Sequence, residues 1–280
     1  MKVQKKIVFA FIRLKLNYLV RTNPQRAGEV AFKLFSTPIK TKRKESRLFN
    51  HATSLILNFN GMEIKGSVFN APQQKKVLIL HGFSSNRKKF ESFVEPLIKK
   101  NYEVIAFDAP AHGESEGKQI NALEYSELIK LIIVKFGPID SFIAHSFGGL
   151  AVCLALENIP HNAQTKLVLI APATETTSAI DAAFKIAGIR NKQLKTALEQ
   201  TIIAKSGQPA SWYSIRRAMH QIKASTLWFH DDEDFTTPVE DALIVKNDNH
   251  PHIQFKISKG LGHSKIYRDD TVRAEIVDFL

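Results

Sequence analysis

Three features of the sequence predict an α/β fold with a mostly parallel, doubly wound sheet. Short apolar runs of strand length recur at 77–80, 104–107, 139–144, 167–170 and 226–229. Amphipathic stretches long enough for crossover helices lie between several of them, at 87–100, 121–136 and 147–158. In the middle of the chain one run ends in a serine and passes at once into a helical stretch. Continuous apolar strands alternating with helices are the mark of βαβ units whose sheet is covered on both faces, with right-handed crossovers.

The composition fits a folded chain and removes several alternatives. With 44% hydrophobic and 24% charged residues, 13 Gly and 11 Pro, the 280-residue chain is neither disordered as a whole nor collagen-like. Its single cysteine, Cys153, cannot close an intrachain disulfide or build a cysteine-based zinc site, so a reducing cytoplasm is the expected compartment. No repeat of 20 to 50 residues is present.

The net charge of +12 is concentrated at one end. Residues 1–50 hold 13 Lys or Arg against two acids, which is +11, and the remaining residues are almost neutral. A basic arm at 1–51, not a nucleic-acid-binding fold, accounts for the charge. A secretory leader is not expected, because Arg13 cuts the apolar run 7–12 short and no small-residue cleavage site follows. On a helical wheel Lys2, Lys6, Arg13, Asn17 and Arg21 share one side, and Ile7, Phe11, Leu14 and Tyr18 share another. This apolar side either packs on the body or gives residues 1–24 a peripheral contact with an anionic inner membrane face.

The body is expected at 52–280. It opens with a hairpin, 53–58 and 63–69, turned at Asn60-Gly61. Asn121 with Glu124 three residues on predicts a capping box. Between the strands at 167–170 and 226–229, residues 173–224 are too long for a plain connection, and an inserted helical cap is expected there.

The serine lies in Ala144-His145-Ser146-Phe147-Gly148-Gly149, a small-x-Ser-x-Gly turn between strand and helix. Acidic residues at Asp231, Asp232, Glu233 and Asp234 follow the strand 226–229, and His263 follows the strand 254–257. A serine hydroxyl is a poor nucleophile near neutrality, so it needs an imidazole as base and a carboxylate to orient that imidazole. Ser146, His263 and one of these acids can fill the three roles. Cys153, two helical turns after Ser146, reads as a small buried apolar residue. His250 and His252 flank Pro251 without a metal-binding spacing, and no metal or cofactor is expected.

In these motifs the sequence resembles the α/β-hydrolase family over about residues 52–280. The resemblance implies an α/β-hydrolase fold and selects Asp234, four residues before Pro238, as the acid beside Ser146 and His263. Asp231, Asp232 and Glu233 are then expected as a solvated loop. The turn His81-Gly82-Phe83 looks like the family's oxyanion turn, giving the backbone N–H groups of Phe83 and Phe147 as donors and His81 as a brace. The stretch 108–115 resembles a structural loop of the family, with Ala111 where glycine is common.

The function implied is cofactor-free serine hydrolysis of a small-molecule carboxylic ester through an acyl-enzyme, esterase- or lipase-like. Phe184, Trp212 and Tyr213 in the cap are candidate acyl-chain contacts, with packing as the alternative. The same three groups could serve a thioesterase, acyltransferase, peptidase or C–C hydrolase. A non-catalytic membrane-associated binding protein would have no chemical need for all three.

Overall fold

The computed structural model describes residues 2–39 and 46–280. The chain divides into two compact units, one of residues 1–37 with 175–213 and the other of 38–174 with 214–280.

The larger unit carries the sheet. After α1 (Lys2–Thr22), α2 (Pro24–Ser36) and the short α3 (Arg47–Asn50), the chain forms β1 (Thr53–Phe59), β2 (Met62–Phe69) and β3 (Lys75–Leu80). Then come α4 (Glu91–Lys99), β4 (Tyr102–Phe107), α5 (Ala122–Phe136), β5 (Ser141–His145), α6 (Phe147–Leu156) and β6 (Lys166–Ile170). The helices α7 (Thr176–Ala187) and α8 (Lys192–Ser206) belong to the smaller unit. The chain returns through α9 (Ile215–Met219), β7 (Ser225–Asp231), α10 (Val239–Asn247), β8 (Ile253–Ser258), α11 (Gly262–Lys265) and α12 (Asp270–Phe279).

Among the described residues the strands make one eight-stranded sheet, ordered β1-β2-β4-β3-β5-β6-β7-β8. The pairs β1–β2 and β2–β4 are antiparallel and the others parallel, as the doubly wound pattern predicts. Asn60 and Gly61 both take positive φ, 52° and 77°, which lets the strands of the hairpin meet at Phe59 and Met62. The Asn121–Glu124 capping box forms at the start of α5.

Helices on both faces explain why β4 and β5 are buried along their whole length. Val77, Ile79, Val104, Ile143, Val168 and Leu227 point one way, into a cluster with Phe93 and Leu97 of α4 and Ile276 of α12. Each such side chain contributes roughly 1.5–3 kcal/mol on leaving water. The parallel strands therefore end together at one rigid edge, where the loops that follow them are held.

In the smaller unit, α1 and α2 pack on the helices inserted between β6 and β7. Within the expected stretch 173–224, residues 175–213 belong to the smaller unit. Residues 214–224 belong with the sheet, because Ile215 donates its N–H to the Thr174 carbonyl at 2.8 Å and Arg217 pairs with Glu157 of α6 at 2.7 Å. Ala27, Gly28 and Ala31 form the buried face of α2. A Cβ built on Gly28 would stand 2.2 Å from the Ala197 carbonyl oxygen and 2.3 Å from Thr201 Oγ of α8, so only glycine allows the two backbones this close.

The packing face of α1 differs from the one read off the wheel. Leu16 and Val20 are buried, whereas Phe11, Leu14 and Tyr18 are 67%, 69% and 68% exposed. The side chain of Ile7, counted on the same face, lies outside the described ones. None of the described helices is long and apolar enough to cross a membrane.

Gly28 supplies a test in which two effects have opposite signs. Helix propensity alone makes Gly→Ala stabilising by about 1 kcal/mol, but the close crossing makes it overpacked, at a cost of about 1–3 kcal/mol. Gly28→Ala is expected to lower the thermal midpoint. A raised midpoint in thermal denaturation would mean that α2 and α8 do not meet at this position.

Candidate active site

The residues selected from sequence converge at the C-terminal edge of the sheet. Ser146 caps β5 with φ 54° and ψ −121°, a conformation rare for a side-chain-bearing residue. Main-chain bonds hold it there. Its N–H donates to the Ile170 carbonyl at 3.1 Å, and its own carbonyl accepts from Gly149 at 2.9 Å and from Ala173 at 3.0 Å. The turn brings its hydroxyl to 3.0 Å from His263 Nε2. On the other side of that ring, Nδ1 lies 2.7 Å from Asp234 Oδ2.

The loop after β7 builds the acid's surroundings. Asp234 Oδ1 accepts the N–H groups of Thr236 and Thr237 at 2.8 and 3.0 Å, and Oδ2 accepts the Thr237 hydroxyl at 2.8 Å. Burial works against the charge of this carboxylate, but the bonds from His263 and Thr237 outweigh it and hold the group below the ordinary aspartate range. With Nδ1–H directed at this anion, Nε2 is left as an acceptor for the Ser146 proton. Thr237 joins this cluster, a contact that the sequence did not reveal. Its hydroxyl oxygen also lies 3.1 Å from His263 Nδ1, so it braces carboxylate and imidazole together.

Asp231 departs from the expected solvated loop. It is fully buried, and its carboxylate accepts from Ser258 Oγ at 2.7 Å, Leu261 N–H at 3.0 Å, Gly262 N–H at 2.8 Å and Glu233 N–H at 3.1 Å. It therefore ties down the loop that carries His263. Asp232 and Glu233 are exposed, as expected of that loop.

Phe83 and Phe147 come side by side, their rings edge to face with centroids 5.6 Å apart. Neither main-chain N–H has a partner among the described residues. Close approach is possible because Gly82 faces Ser146, where a Cβ would stand 2.8 Å from the serine Cβ. Two buried imidazoles fix this turn. His81 donates Nδ1–H to the Gly82 carbonyl at 2.8 Å and accepts the Ala109 N–H at Nε2, 2.9 Å away. His112 donates Nδ1–H to the Pro110 carbonyl and accepts the Ser84 N–H at Nε2, both at 2.9 Å. Arg87, buried and paired with Asp108, closes the same pair of loops. Ala111 has a φ of +65°, a backbone conformation that favours glycine.

His145 donates Nε2–H to the backbone carbonyl of His263 at 2.9 Å, with the two rings 4.7 Å apart. Burial pushes His81 down to about 4, and His112 and His145 to about 3, so all three stay neutral braces.

The three cap candidates belong to the smaller unit. Tyr213 is buried within the smaller unit with its ring edge-on to Trp212, and Phe184 and Trp212 are half-buried there. Cys153 is fully buried and its thiol is pushed well above the ordinary range by burial. The rings of His250 and His252 are 5.6 Å apart, but no group of three metal-ligating side chains is arranged for an ion among the described residues.

A family model described as "Serine aminopeptidase, S33" matches residues 71–214, just over half of the chain. The chain belongs to this family of α/β hydrolases. Among its relatives is a Mycoplasma genitalium protein provisionally named esterase/lipase 2, 26% identical over 71% of this chain and 89% of the relative. Two solved structures share the fold. A Pyrococcus furiosus esterase has a TM-score of 0.65 at 18% identity, covering 88% of this chain and 97% of its own. A Paleococcus ferrophilus monoacylglycerol lipase has a TM-score of 0.60 at 24% identity, covering 78% and 98%.

Two predictions test how this hydrolase supports its site. His81, His112 and His145 have folded values depressed from 6.5 to about 3 or 4, so the unfolded chain binds more protons in that interval. The stability they contribute is complete above about pH 6.5 and is lost as pH falls toward their folded values, at up to about 4 kcal/mol per pH unit. Urea midpoints measured from pH 7 to pH 4 are expected to fall steeply. A flat series would mean that these rings are not buried as neutral braces. Asp231→Asn is expected to lower the unfolding free energy from the same urea curves by about 1–3 kcal/mol, because an amide cannot accept the four donors. Asp232→Asn serves as the neutral control, and equal effects would remove the anchoring role of Asp231.

Proposed function

We propose that this hydrolase cleaves carboxylic esters by covalent catalysis at Ser146, with His263 as base and Asp234 as its orienting acid. The observation that carries the reading is the continuous bond series from Asp234 through His263 to the Ser146 hydroxyl, at 2.7 and 3.0 Å. Ser146 Oγ attacks the ester carbonyl carbon as its proton passes to His263 Nε2. The carbonyl oxygen, now an anion, is received by the N–H groups of Phe83 and Phe147, which need no reorganisation to meet it. His263 then protonates the departing alcohol and leaves an acyl ester on Ser146. Water, deprotonated by the same imidazole, releases the acid and restores the serine.

Esters are preferred as the substrate class because relatives named as esterase, lipase or esterase/lipase recur in the comparisons. The family description favours one second reading, removal of an amino-terminal residue from a peptide. The same attack and proton transfers would serve it, with an amine as the leaving group.

Ser146→Ala is expected to reduce turnover of nitrophenyl esters by about 10⁴-fold or more with the thermal midpoint unchanged. A fluorophosphonate probe is expected to label the wild type at Ser146 and to leave the variant unlabelled. Near-wild-type turnover by the variant would move the nucleophile elsewhere. Faster cleavage of amino-acid nitroanilides than of esters would select the peptidase reading.

A further inference from the structure

The exposed stripe on α1 is a surface left uncovered by the described residues. Phe11, Leu14 and Tyr18 follow one another at three- and four-residue spacing, so they form a single apolar strip along the helix. All three are about two-thirds exposed, although Leu16 and Val20 on the opposite side seat the helix firmly against its unit. An isolated exposed leucine needs no explanation, but an aligned Phe-Leu-Tyr strip on an otherwise anchored helix does.

The charges around the strip identify what it would meet. Lys15 and Arg21, both exposed, border it on its two sides. The helix as a whole holds six Lys or Arg and no Asp or Glu, and the first acid of the chain is Glu29. Arg13 faces away from the strip, beside Gly188 at the end of α7. A second copy of the chain would set two such cationic helices against each other, which argues against self-association. An anionic lipid surface complements every element. Its acyl boundary takes the Phe and Leu side chains, its headgroup layer suits the tyrosine, and its phosphates attract the flanking cations.

We propose that α1 is a peripheral anchor that lays its Phe11-Leu14-Tyr18 face into the surface of an anionic bilayer. Sedimentation of the full chain with vesicles tests this without reference to turnover. Vesicles of phosphatidylcholine with about 30 mol% phosphatidylglycerol are expected to retain at least ~10-fold more protein than phosphatidylcholine alone at about 50 mM salt. Raising the salt to about 500 mM is expected to remove most of that difference.

The triple variant F11S/L14S/Y18S is expected to lose vesicle binding ~10-fold or more while keeping its thermal midpoint, because none of these side chains is in the core. As a second measurement, Leu14→Cys carrying an environment-sensitive dye is expected to shift to shorter wavelength with the anionic vesicles, Cys153 being too buried to label. Binding by the triple variant equal to the wild type would overturn the proposal, as would an unshifted dye. It would also fail if the strip mediated a concentration-dependent dimer that the triple variant abolishes, since the face would then belong to a second copy.

Discussion

Everything at the site depends on holding one non-glycine residue at positive φ. Such a backbone costs of order 1–3 kcal/mol and persists only where its surroundings overdetermine it. Here the surroundings are the ends of neighbouring strands. The Ser146 N–H is claimed by the last residue of β6, and its carbonyl is shared between the first turn of α6 and the chain just past β6. The strain is thus offset by bonds that exist only if β5 and β6 pair in register and α6 starts at once. Fold and hydroxyl position are one constraint, and glycine at 82 and 148 follows from it, because the loop after β3 must pass within contact distance of the turn.

Around this turn, charge is used in two different ways. Anionic groups do the anchoring where several N–H donors converge, as at Asp231 and Asp234, each of which receives four hydrogen bonds. Buried imidazoles do the bracing where one donor and one acceptor must be joined across a gap, as at His81 and His112. A neutral ring offers both functions at fixed separation, and burial keeps it neutral. Glu114 closes the outer side of the second loop. Burial opposes its charge too, but Lys88 and Arg87 outweigh that and hold its carboxyl down to about 2. The N–H groups of Phe83 and Phe147 find no partner in either loop among the described residues.

What could be read from sequence was what local rules determine. The Asn60-Gly61 hairpin, the capping box at Asn121, the buried parallel strands and the small residues about Ser146 depend on neighbours within a few positions. Asp231 could not be assigned in that way, since its partners at 258, 261 and 262 come from a later strand and loop, and in sequence it looks like any member of an acidic run. Thr237 was hidden because one of its partners, His263, lies 26 residues further along the chain. On α1 a wheel finds the most apolar side, that of Phe11, Leu14 and Tyr18, but not which residues the neighbouring helices cover, and in the smaller unit those are Leu16 and Val20.

The pairing of α2 with α8 also sets an order of events in time. Gly28 leaves the ribosome about 170 residues before Ala197, the residue against which it finally rests. At about 5–20 residues per second, the first two helices wait roughly 10 to 30 s for the surface that covers Ala27 and Ala31. The larger unit also straddles the gap, since β7 and β8 are made after α8. Neither unit can therefore be completed before the other has begun, and the N-terminal helices spend that interval as a cationic, apolar nascent segment.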